Sequence, residues 1–99
     1  MRHRTQELRS IELHRLIAER LDEGLILRAR ARLYDWLADP GPERREYVQQ
    51  WLDLLNGPRA ALQAALVADT EQMRALRQCS PFAGALTDSE RQQVFARIR

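Results

Sequence analysis

Apolar residues recur at three- and four-residue spacings along most of the chain, and no stretch alternates apolar and polar residues long enough to make a strand. The pattern predicts an all-α protein: a single compact bundle of five or six short helices, residues 1–99 forming one helical domain. A first helix is expected over 5–23, with Thr5 as N-cap, Glu7 in the positive first turn and Gly24 closing the end in a left-handed conformation. Leu13, Ile17 and Leu21 form one stripe on it, and Leu8, Ile11 and Ala18 lie on another side. So broad an apolar surface reads either as a helix sandwiched between neighbours or as an N-terminal patch that meets another protein.

A second helix is expected over 25–38, burying Ile26, Ala29, Leu33, Trp36 and Leu37 and turning Arg28, Arg32 and Asp35 to the opposite face. Asp39-Pro40-Gly41-Pro42 breaks the chain, because a residue before proline is pushed out of the α region. Pro42 can open a third helix at its first position, followed by Glu43, and that helix runs to 55 or 56 with Val48, Trp51, Leu52 and Leu55 as its core stripe. Gly57-Pro58 repeats the stop and start. A helix unbroken over 58–79 would bury the Asp69 carboxylate in the same stripe as Leu62, Leu66, Met73 and Leu76, at a cost of several kcal/mol. Two helices are therefore expected, over 58–68 and 70–79, with Asp69 as N-cap of the second and Gln72 in the reciprocal position. Ser80-Pro81 ends this helix, residues 81–86 are a connection, and Thr87-Asp88-Ser89-Glu90 is a capping box opening a last helix whose apolar residues are Val94, Phe95 and Ile98.

Composition narrows the function. The chain has 99 residues, 44% hydrophobic and 30% charged, enough for one core and too apolar for disorder to be the default. No apolar run approaches the length of a bilayer span, and the charged segment after Met1 is not a secretion signal, so a cytoplasmic protein is expected. Cys79 is the sole cysteine; it allows no internal disulfide and reads as an inert filler at a helix end. The formal net charge is only +2, although all sixteen basic residues are Arg. Acids interleave with them, as a solvated helix surface requires and a phosphate-binding stripe does not. His3 and His14 fit no metal-ligand spacing, and the carboxylates serve as caps, dipole partners or i, i+3/i+4 partners. No cofactor, metal or catalytic residue is expected, and the protein reads as a non-enzyme.

Two functions remain. A helix-turn-helix is best approximated around Asp69 or Thr87, with Arg91, Gln92 and Gln93 as base readers. A DNA-binding regulator is thus the alternative reading, although those residues equally suit the exposed side of an amphipathic helix. The more distinctive feature is the run Leu76-Arg77-Gln78-Cys79-Ser80-Pro81-Phe82-Ala83-Gly84-Ala85-Leu86 followed by Glu90-Arg91. With the early helix from His14 to Leu21 and a Trp-containing middle, it resembles small helical antitoxins of bacterial toxin–antitoxin pairs whose toxin is a minimal nucleotidyltransferase. The resemblance implies a non-catalytic cytoplasmic protein that neutralises, by direct contact, a toxin encoded in the same operon. Arg77, Ser80, Pro81, Phe82 and Arg91 are the candidate partner-binding residues. Phe82 can plug the bundle or anchor a partner. Arg77 stands in the last turn of its helix, with its charge available for recognition.

Overall fold

The computed structural model describes residues 2–38, 41–82 and 84–98, without the side chains of Arg2 and His3; the stop expected at Asp39-Pro40 lies outside the described residues. Six helices follow one another: α1 (Arg2–Glu19), α2 (Glu23–Leu37), α3 (Pro42–Asn56), α4 (Arg59–Leu66), α5 (Glu71–Gln78) and α6 (Asp88–Arg97). Among the described residues there is no strand. The all-α expectation is met, with bounds that differ where two start signals competed.

The largest difference lies between α1 and α2. Thr5 is inside α1 and does not cap it. The helix ends at Glu19, and Asp22 caps α2 by accepting a 2.7 Å hydrogen bond from the Leu25 amide. Gly24 therefore sits in the first turn of α2, and its φ is not positive. An aspartate followed by a glutamate satisfies orphan amides and complements the helix dipole, and here that start outweighs the glycine stop. The break between α4 and α5 is present as expected, but its cap is Thr70, whose hydroxyl accepts from the Met73 amide at 3.1 Å. Asp69 instead meets Arg4 and Arg74, at 3.0 Å each, and Gln72 donates to Gln50. Pro42 does open α3, and the Thr87–Glu90 capping box of α6 is complete.

α2 and α3 pack against each other, α4 bridges α1 and α3, and α1 lies against α4, α5 and α6. Most of the broad apolar surface of α1 is thereby explained: Ile11, Ile17 and Ala18 are buried, whereas Leu8 stays 37% exposed. Trp51, Val48, Leu33, Leu62, Leu66 and Leu76 fill the centre, each contributing about 1.5–3 kcal/mol of apolar burial, more for the indole. Trp51 also donates from Nε1 to the Leu76 carbonyl at 3.1 Å, so its polar atom is satisfied inside the core. Trp36 is only half-buried, with Arg44 6.0 Å from its ring. On α6 Val94 is buried, whereas Phe95 is exposed beneath Arg9, which donates to the Ile98 carbonyl at 2.7 Å.

Candidate functional site

The sequence-predicted residues converge more than their spacing required. Arg77, Ser80, Phe82 and Arg91 line one cleft of about 240 Å³ between α1, α5 and the connection from Cys79 to Thr87, together with Ser10 and His14 of α1. Pro81 is fully buried outside this cleft. The connection is shaped by a turn: the Ala85 amide donates to the Phe82 carbonyl at 3.1 Å, and Gly84 carries φ +86°. That left-handed position needs glycine even though a Cβ there would meet no atom.

Three of the five candidates are not surface anchors, which corrects the expectation for them. Phe82 is 5% exposed and packs edge-on against Trp51, with ring centroids 6.0 Å apart and an interplanar angle of 73°. It is a core plug, because the hydrophobic gain of covering the indole exceeds anything available to a solvated ring. Pro81 is buried beside it. Arg77 is 4% exposed, and its Nη1 donates to the carbonyls of Leu66 (3.2 Å) and Ala68 (2.7 Å), where α4 ends. Its charge is thus turned inward to terminal carbonyls of another helix, a favourable place for a cation. Ser80 is half-buried, and Arg91 alone of the five is exposed.

His14, the first residue of the early His14–Leu21 segment but not among the candidate site residues, organises the cleft. It is 5% exposed, with Nδ1 2.7 Å from the Ser10 carbonyl and Nε2 2.9 Å from Ser80 Oγ. A carbonyl only accepts, so Nδ1 carries the proton and Nε2 accepts from the Ser80 hydroxyl. The Phe82 amide in turn donates to Ser80 Oγ at 3.3 Å. This chain ties α1 to the connection and seats Phe82 on Trp51. Burial, opposed by the Ser10 bond and assisted by Arg77, lowers the His14 pKa to about 4.

The Ser80–His14 pair has the spacing of a nucleophile and its base. Its surroundings oppose that chemistry: the ring is oriented by a main-chain carbonyl, and the burial and cationic neighbour that depress its pKa penalise an imidazolium. Cys79 is half-buried with its thiol pKa raised by burial, in keeping with a filler. Among the described residues, no group of three or more His, Cys, Asp or Glu side chains could hold a metal ion. No helix among the described residues is long and apolar enough to cross a membrane.

A second feature lies on the outer face of α2. Leu27 is 60% and Tyr34 55% exposed, with Ala31 and Ala38 exposed between and beyond them. At 100° per residue these four fall within about 60° of one another, on one stripe turned away from Ala29 and Leu33. Arg28, Arg32 and Asp35 flank it on one side, exposed and without an ion pair among the described residues. The spacing of Leu27, Ala31, Tyr34 and Ala38 was readable in the sequence, where the helix's inner stripe and its arginines drew the reading instead. No family model, curated protein or solved structure matches the chain.

Proposed function

We propose that this protein is a non-catalytic protein-binding module, an antitoxin that occludes a toxin encoded beside it. The observation that carries the binding role is the outer face of α2. A leucine and a tyrosine more than half exposed on one helical stripe, beside unpaired arginines, have the composition of an interface centre and its rim. The apolar stripe docks on the partner while Arg28 and Arg32 meet carboxylates around the partner's own site, which favours an acidic-rimmed protein. The run from Leu76 to Leu86 supports the antitoxin reading through the family it resembles.

Co-expression with the protein of the neighbouring gene tests this reading. The account expects relief of that protein's toxicity and a complex that survives purification, both abolished by Leu27→Arg/Tyr34→Arg with the melting temperature unchanged. Binding to DNA that falls steeply with salt, without a protein complex, would replace it by the regulator reading. Self-association lost in the same double variant, with no toxin bound, would make the face a homodimer interface.

A further inference from the structure

Arg77 presents a second, independent problem of charge. Its Nη1 is occupied by the carbonyls at the end of α4, but Nε and Nη2 are buried without a hydrogen-bond partner. Those two nitrogens form one edge of the guanidinium, the edge whose parallel N–H bonds match the two oxygens of a carboxylate. A buried cation ordinarily holds such an acceptor, since each orphaned donor loses the hydrogen bond that water would have supplied.

The protein's own carboxylates nearest in charge to Arg77 are committed elsewhere. Asp69 is held by Arg4 and Arg74 at 3.0 Å each, and Glu7 lies 3.7 Å and 3.8 Å from the same two arginines. The charge that reaches Arg77 from them acts only at a distance, and burial leaves its pKa lowered. Two clefts share Arg77, Ser10 and Gln78 in their walls. The one toward Arg74 includes the Glu7 carboxylate, which repels an anion. The cleft toward His14 contains two arginines, Arg77 and Arg91, and no carboxylate among its described lining residues. Arg91 is exposed and has no ion pair among the described residues. Gln78, common to both walls, is exposed, and its side chain makes no hydrogen bond among the described residues.

We infer that the cleft between α1, α5 and the connection before α6 is a carboxylate-binding site, in which a local opening of its wall lets the buried Nε and Nη2 edge of Arg77 receive the two oxygens while Arg91 pairs with them from the rim. Its volume suits a small organic acid or one acidic side chain presented by a polypeptide, and both share the same chemistry. The site is independent of the α2 face, so failure of either leaves the other standing.

The test is nuclear magnetic resonance of the Arg77 Nε–H group in the intact protein, titrated with succinate and with a blocked tripeptide carrying a central glutamate. Chloride at matched ionic strength and inorganic phosphate are the controls. Replacing Arg77 removes the bonds that close α4 and risks unfolding, so Arg91→Gln is the informative variant. Saturable movement of the Arg77 resonance is expected with one or both carboxylates, at a Kd on the order of 1 mM, and not with chloride. Arg91→Gln should weaken that binding by about threefold without changing the fold. Preference for succinate identifies a free acid and preference for the tripeptide a polypeptide side chain, and either sustains the site. An unmoved Arg77 resonance, the same movement with chloride, equal affinity for phosphate, or binding indifferent to Arg91→Gln would each overturn it.

Discussion

The Trp51–Phe82 contact and the outer stripe of α2 are built from the same kinds of residue and meet opposite fates. Phe82 stands in a connection beside Pro81, where the sequence leaves both a core plug and a partner anchor open, and it is sealed against Trp51. Leu27 and Tyr34 stand within a regular helix, where apolar residues are ordinarily buried, yet more than half of each faces solvent. What separates them is the company of their backbones. The connection is drawn inward by the His14–Ser80–Phe82 hydrogen bonds, whereas α2 has one helix, α3, as its main neighbour and can bury only one side. Apolar residues in a small bundle are therefore assigned to core or surface by topology as much as by local pattern.

The sharpest way to break this contrast is to truncate its buried side. Trp51→Ala should destabilise the protein by about 3–5 kcal/mol, and Phe82→Ala by a similar amount. Either loss is enough to unfold a domain of ordinary stability, and thermal or denaturant melts measure it. A Phe82 variant that melts like the parent would return that residue to the surface.

The hydrogen bonds that hold Phe82 inward make the core side of the comparison sensitive to pH. His14 has a folded-state pKa of about 4 against 6.5 unfolded, so the unfolded chain takes up the proton first. Its contribution is fully present above about pH 6.5 and is lost as pH falls toward 4. Between pH 7 and pH 5 the loss should be about 2 kcal/mol. Glu90 and Asp69, whose pKa values are lowered by bonds to Arg20, and to Arg4 and Arg74, lose their contributions only at lower pH. Denaturant titrations of the parent and His14→Gln across this window check the assignment, because the variant's stability should be nearly flat there.

A smaller effect belongs to the start of α6, which closes the connection. Thr87→Ala removes the hydroxyl that accepts from the Glu90 amide at 3.1 Å and should cost about 1 kcal/mol. Fraying of α6 in hydrogen exchange, with the Trp51 core unchanged, would localise the loss.

Much of this fold was legible because its breaks are chemical. Pro42, the pair Gly57-Pro58 and the Thr87 capping box each mark a helix boundary through a missing donor or a side-chain acceptor, and the core stripe of α3 was read residue for residue. The misreadings share one cause. At Asp22 against Gly24, and at Thr70 against Asp69, two neighbouring residues could each end or start a helix; the local Asp22 cap decided the first, and the tertiary partners of Asp69 the second. Asp69 was not needed as a cap once Arg4 and Arg74 reached it. The cleft was half legible: the run containing Arg77, Ser80 and Phe82 was singled out, but the burial of Arg77 depends on how α5 folds back onto the end of α4, and the part played by His14 on a contact 66 residues apart in sequence. No local pattern reports such a contact.

The central claim is that the α2 stripe is exposed for a partner and contributes almost nothing to folding. Its most direct test is to measure stability and complex formation together on Leu27→Arg/Tyr34→Arg. The account predicts a stability within about 0.5 kcal/mol of the parent and complete loss of the complex with the neighbouring gene's product. A variant that unfolds, or one that still binds that product as tightly as the parent does, would contradict it.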